Sequence, residues 1–464
     1  MNGKSSTKGL TKLFFPLSFI FIFLCVAAIY PLGDDWFYYT APNFDFRLSQ
    51  LLPNEYFWRP IDVLFGALLG KVPFMFPYLN RFVVILSHIL TAYFTDKILI
   101  KLNYMDFARY CSVLIFTFSS AAYAVVSSPD ALNQSFCLLF GVIGLYTYLK
   151  KYNFTYLFFV FLSVMSKESG IAWLAVIPLM GTVLTIGSFK NIKERKKAVI
   201  RLLICAGIAV AFVGVYFAVR FKLQGNMTLG NSSGRYSLSV FSFSTVKNYV
   251  NMFLLAATGV DTVSLLSSRK NYALVAVTVA LSLVFIAYIF ICFIKAVKKK
   301  DSLYTPAAIL LSTFILAAPQ AMIEKSGEMH AYPVLFGLAC LYGYFLNYSE
   351  KEDSKKAIAS IVCLFTAFTI SSVNKTVCIY RFGNESKQLT QNIHEHFSDP
   401  EKSLLLVNID FHNDYSIYIQ PPVFGMDYGT ALRPIFGWKD FERRFFNADD
   451  RQDALRIAEE NKDK

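Results

Sequence analysis

Pro31-Leu32-Gly33-Asp34-Asp35-Trp36-Phe37-Tyr38-Tyr39 follows directly on the apolar run Leu13 to Tyr30. Two adjacent carboxylates therefore sit where a greasy helix would leave a membrane. Ionisable groups at a bilayer edge cost free energy, and a neighbouring like charge raises the pKa of one of the pair. Such a pair either does chemistry, with Asp34 or Asp35 as a general base, or forms a solvated helix start beneath an interfacial belt of Trp36, Phe37, Tyr38 and Tyr39. The rest of the chain has to decide between the two.

Composition narrows the class. Hydrophobic residues make up 55% of the 464, aromatic residues 17% and charged residues 17%, with a mean hydropathy of +0.44. This is too apolar for a soluble chain of that length and reads as an all-α polytopic membrane protein. The formal charge of +13 does not form a nucleic-acid patch. Basic residues gather in short clusters between apolar runs, such as Lys193-Glu194-Arg195-Lys196-Lys197 and Lys295 with Lys298-Lys299-Lys300, which is the positive-inside signature. Of the cysteines, seven lie within apolar runs and Cys378 alone in a polar context, so neither a disulfide framework nor a metal-ligand spacing is readable.

A spanning helix needs about 20 apolar residues. On that ruler eleven crossings centre on 13–30, 78–100, 108–126, 134–149, 154–166, 171–187, 198–218, 271–294, 303–321, 331–347 and 357–373. The first is read as uncleaved: Lys4, Lys8 and Lys12 precede it and no small-residue cleavage site follows. Starting inside and alternating, every basic cluster falls on the cytoplasmic side. Residues 1–12 are then a cytoplasmic N-terminus, 13–373 the transmembrane domain, and 374–464 a small extracytoplasmic α/β appendage. Within the appendage, Gln388 to Phe397 is amphipathic, Ser403 to Ile409 strand-like, and a charged helical tail starts at Ala448. The outer loops carry further apolar segments too short to span: Phe44 to Leu52, Ile61 to Leu69 and Tyr249 to Ala257. The first two read as helices lying in the interface and the third as an interfacial or re-entrant helix, whereas the Gly/Asn/Ser-rich Gln224 to Gly234 reads as a mobile loop. Outward-facing N-x-[ST] triplets at Asn226, Asn231, Asn374 and Asn384 are weak signals.

Three further outer-face features carry charge. In Trp58-Arg59-Pro60 the proline suits a first helical position and the arginine either snorkels or grips a phosphate with its planar fork. Ser166-Lys167-Glu168-Ser169-Gly170 interrupts an apolar stretch; it is either a mutually paired turn or a lysine that binds a phosphate beside a glutamate that orients it. Glu328-Met329-His330-Ala331-Tyr332-Pro333 opens the tenth crossing, where a histidine either caps the helix or hydrogen-bonds a phosphate.

Taken in order, the acidic pair after the first helix, the Arg-Pro of an aromatic-rich loop and a later Ser-Lys-Glu resemble the GT-C superfamily of integral-membrane glycosyltransferases. The likeness is strongest to its protein O-mannosyltransferase-like branch and to bacterial relatives that modify lipids and polysaccharides, and it covers roughly the first 350 residues. Glu328 to Pro333 is similar to a Glu-Arg-Tyr stretch of some members, with Met329 where an arginine is usual, which moves weight onto His330. The resemblance implies inverting transfer of a hexose from a polyprenyl-phosphate donor to an envelope acceptor: a lipid, polysaccharide or protein at the outer face. Asp35 is favoured as the base that acts on the acceptor, because Trp36 and its aromatic neighbours would desolvate it and raise its pKa, with Asp34 orienting it or holding a cation. Arg59, Lys167 and His330 would hold the donor phosphate, with Glu168 and Glu328 in support. A divalent cation, Mg or Mn, is compatible with Asp34, Asp35 and Glu168 but is not demanded. A transporter or flippase of lipid-linked substrates is the competing class; it would place charges mid-helix and often shows inverted repeats, and neither is apparent here.

Overall fold

The structure is a computed structural model that describes residues 6–36, 47–53, 58–72, 75–150, 155–186, 192–224, 242–266, 271–299, 303–323, 326–349, 353–397, 402–407, 429–436, 444–448 and 450–461. Phe37, Tyr38, Tyr39, Asn226, Asn231 and almost all of the Gln224 to Gly234 loop lie outside the described residues. The architecture is an all-α bundle with a two-stranded appendage. In order come α1 (Ser6–Val26), α2 (Pro60–Gly70), α3 (Tyr78–Lys101), α4 (Asp106–Phe118), α5 (Ser120–Val126), α6 (Leu132–Leu149) and α7 (Thr155–Ser166). These are followed by α8 (Trp173–Ile186), α9 (Ile192–Gln224), α10 (Phe243–Thr258), α11 (Thr262–Leu266), α12 (Tyr272–Lys298), α13 (Tyr304–Ala321), α14 (Glu328–Leu346) and α15 (Ser354–His396).

Each of the eleven expected crossings coincides with a helix. Among the described residues, seven helices are long and apolar enough to cross a membrane, and α4 with α5 make an eighth if that bent pair is one span. The bend of 50° has a local cause: Ser119 leaves the helical region at ψ 155°, and its side chain accepts the Ala122 N–H to start a new helix. The apolar part of α1, and α7 and α8, are shorter. With 12 residues in α7, a rise of about 1.5 Å each gives roughly 18 Å, against a hydrocarbon core of about 30 Å. Among the described residues, and with the bent pair taken as one span, eight of the eleven expected crossings are long and apolar enough to cross alone, and the other three coincide with shorter apolar helices. The break that shortens α7 and α8 is the Lys-Glu turn between them.

Ile61 to Leu69 is helical as expected, within α2, and Tyr249 to Ala257 lies in α10. Of Phe44 to Leu52, the described part forms a 3-10 turn, Leu48–Leu51. The last membrane helix does not stop at 373. It continues as α15 to His396, 43 residues in all, and takes in the amphipathic Gln388 to Phe397. Beyond it, β1 (Leu404–Val407) pairs in parallel with β2 (Phe445–Ala448), and the charged tail forms a helix, Arg451–Glu460. The main apolar core runs through α3 to α8 and on to α14, where Phe116, Leu132, Trp173 and Tyr332 are almost completely buried.

Candidate functional site

The acidic pair folds into a 3-10 turn, Gly33–Trp36. Gly33 opens it at φ 53°, a left-handed conformation that glycine adopts without steric cost. The two carboxylates part company there. Asp34 is exposed, while Asp35 is 5% exposed and fully engaged. Its Oδ2 accepts the Leu32 N–H at 3.0 Å, and its Oδ1 accepts the Ser128 hydroxyl at 2.7 Å and the Asp130 N–H at 3.1 Å. Burial pushes the Asp35 pKa up, against the opposing pull of Arg81 and of these three donors. Arg81 is itself completely buried; its guanidinium donates to the carbonyls of Ser127 and Ile29, at 3.1 and 2.6 Å. Asp35 and Arg81 together tie the end of α1 to the Ser127–Asp130 segment, which carries Asp130 into the field of Asp34, Asp62 and Lys167.

The Ser-Lys-Glu turn is built by backbone. Lys167 is extended, at φ −158° and ψ 139°, and a 3-10 turn, Glu168–Ala172, follows. Gly170 is required because a Cβ there would lie 2.5 Å from the Ser163 carbonyl carbon. The turn meets Trp58-Arg59-Pro60 from far along the chain. Glu168 Oε2 pairs with Arg59 Nε at 2.9 Å, and Glu168 Oε1 accepts the Trp58 N–H at 2.9 Å. Burial would raise the Glu168 carboxyl, but Arg59 and the backbone donors hold it below its ordinary value. Lys167 is partly exposed, yet desolvation first and then the Arg59 charge lower its pKa to about 8, in spite of Asp130 and Glu168. Trp58 stacks on Tyr216 with ring centroids 5.2 Å apart, and the charge of the buried Arg220 of α9 acts on the Tyr216 hydroxyl.

Glu328, the first residue of α14, is buried. It accepts the N–H and hydroxyl of Thr262 at 2.7 and 2.5 Å and pairs with Lys375 of α15 at 2.9 Å. His330 accepts the Gly327 N–H on Nδ1 at 3.0 Å, so a neutral ring carries its proton on Nε2. Lys167 and Glu328 both act on it electrostatically. Asp34 and Asp35 thus act electrostatically on Asp130, Asp130 and Arg59 on Lys167, and Lys167 and Glu328 on His330, with Arg59 and Glu168 in direct contact. Sequence reasoning missed Asp130, Asp62, Lys375 and Arg220. A Ser128-Pro129-Asp130 turn in an outer loop was the available signal for the first; a lysine just past an apolar run reads as snorkelling, which hid Lys375.

The cation expectation does not fit these residues. Both oxygens of Asp35 are occupied by N–H and O–H donors, and those of Glu168 by Arg59 and Trp58. Among the described residues, no three His, Cys, Asp or Glu side chains are arranged to hold a metal.

No family model matches the chain. No curated protein matches it either. Among solved structures it is similar to ArnT from Cupriavidus metallidurans bound to undecaprenyl phosphate, at 12% identity and a TM-score of 0.49, over 93% of this chain and 89% of that one. A likeness at that level carries no functional argument, which rests instead on the residues above.

Proposed function

We propose that this protein is a membrane glycosyltransferase that moves a sugar from a polyprenyl-phosphate donor to an acceptor hydroxyl of the cell envelope at the outer face. The observation that carries the reading is the joining of two poles: an exposed carboxylate, Asp34, on a turn clamped by Asp35, and a cationic turn, Lys167 with Arg59, linked to it through Asp130. In an inverting displacement the acceptor oxygen attacks the anomeric carbon, the bond to the phosphate oxygen breaks, and the polyprenyl phosphate leaves with the electron pair. A carboxylate takes the hydroxyl proton, and cations offset the charge that grows on the leaving phosphate.

The engagement of Asp35 favours Asp34 as the base. Taking a proton on Asp35 would weaken three hydrogen bonds that shape the turn, whereas Asp34 is exposed to an incoming acceptor. Lys167 is the leading phosphate ligand. Arg59 shares its charge with Glu168, and the Nε2–H of His330 adds a neutral donor. Glu328 fixes α14 to α15 through Lys375.

The test is transfer of a radiolabelled sugar from its polyprenyl phosphate in a reconstituted system with membrane extract as acceptor source. Asp34→Asn should lower turnover about a hundredfold to ten-thousandfold, the usual worth of a general base, with donor binding retained. Full turnover by Asp34→Asn would remove the base assignment; movement of intact donor without cleavage would replace the enzyme by a flippase.

A further inference from the structure

Trp36, next to the buried carboxylate, is 8% exposed, yet no membrane helix alone covers it. Its ring meets Tyr30 and Phe76 at centroid distances of 5.6 and 5.7 Å. The rest of its shell comes from the far end of the chain: Ala431, Leu432 and Phe445 form one apolar cluster with it, backed by Leu389 and Ile393 of α15. Ala431 and Leu432 belong to a 3-10 turn, Thr430–Leu432, and Phe445 begins β2. Leu432 is completely buried and Ala431 nearly so, although both sit in a small, polar part of the chain. Tyr30, directly before the same stretch, is within the influence of Thr390 of α15. The acidic turn is therefore gripped on one side by Ser128 and Asp130 and on the other by the appendage, which α15 carries out of the bundle as a continuous helix.

We infer that the C-terminal appendage is a positioning element for the transfer reaction, acting through Trp36: by docking Leu432 and Phe445 on that ring it holds the Gly33–Trp36 turn, and with it Asp34, against the donor-binding turn. This rests on the reading of Asp34 as the working carboxylate. A short 3-10 turn with a left-handed glycine at its head has few internal contacts of its own, so its order must come from what packs on it. A displacement of about 1 Å in a reacting group is enough to cost on the order of a hundredfold in rate.

The experiment uses the full chain in nanodiscs, with hydrogen exchange over residues 31–36 read beside turnover and donor binding. Leu432→Glu places a charge in the cluster and should undock the appendage. Exchange over 31–36 should then rise, kcat should fall about a hundredfold, and donor binding should stay that of the parent. Leu432→Met keeps an apolar side chain of similar size and should preserve all three. Should Leu432→Glu fail to accumulate, Trp36→Ala probes the same contact from the other side, and Trp36→Phe should restore most of the turnover. The inference is overturned if exchange at 31–36 is unchanged while that of β1 and β2 rises, or if the turn loosens and kcat does not move. Exchange is read without turnover, so an inactive parent protein would sink the glycosyltransferase reading and still leave the docking decided.

Discussion

Arg59 and Glu168 offer the sharpest test of how this site is built, because the pair joins segments 109 residues apart. Removing Arg59 alone strips the Glu168 carboxylate of its charged partner while leaving it largely enclosed; removing both charges leaves no such orphan. The size of the effect follows from exposure. The side chains are 17% and 14% exposed, which puts the pair between surface bridges worth about 0–1 kcal/mol and fully buried ones whose rupture costs about 3–5 kcal/mol. A charge-assisted hydrogen bond contributes about 1.5–3 kcal/mol. With solvent screening allowed for, the coupling in a cycle of Arg59→Ala, Glu168→Gln and the double variant should be about 2 kcal/mol, roughly a thirtyfold departure from additivity. Unfolding in lipid, read by proteolysis of the opened state, measures it in stability, and kcat/KM in transfer measures it in function. Gln at 168 still accepts from the Trp58 N–H, so the backbone junction survives and the cycle isolates the charge. Additive behaviour within about 0.5 kcal/mol would mean that the ion pair does not organise the junction. Arg59 would then return to being a free-standing phosphate ligand.

Two other expectations follow from the charges. Lys167, lowered from 10.5 to about 8, loses its proton in the empty site as pH rises through 8, so donor affinity should weaken across that pH; Lys167→Arg stays charged and should bind with a flat profile, and a parent profile flat through pH 8 to 10 would refute the lysine's role. Alternation of basic clusters over eleven crossings predicts Lys197 inside and Lys402 outside: with native cysteines replaced, an impermeant thiol reagent on intact cells should label Lys402→Cys and spare Lys197→Cys, and the reverse would invert the topology.

The positions of the helices were legible because hydropathy is a one-dimensional property of the chain: a run of apolar residues is visible without knowing what it touches. Helix ends were less so. Beyond 373 the hydropathy falls, but nothing between Asn374 and His396 breaks a helix strongly enough to end it, since Gly383 costs only about 1 kcal/mol and no proline intervenes; the membrane helix simply becomes a polar one. The same limit governs the site. The motifs Asp34-Asp35, Trp58-Arg59-Pro60 and Lys167-Glu168 were readable as charge in costly places, but partner choice is three-dimensional. Glu168 sits beside Lys167 in sequence and spends its oxygens on Arg59 and the Trp58 backbone. From sequence, the aromatic neighbours of Asp35 favour it as the base by desolvating it; the structure shifts that role to Asp34. Desolvation is real and does raise its pKa, yet it comes with three hydrogen-bond donors that bind the same carboxylate into the turn. A group buried by its own ligands is a poor proton acceptor for a substrate it cannot reach, whatever its pKa. Accessibility, not basicity, separates the two aspartates, and accessibility here is set by Ser128, Asp130 and a tryptophan covered by the far end of the chain.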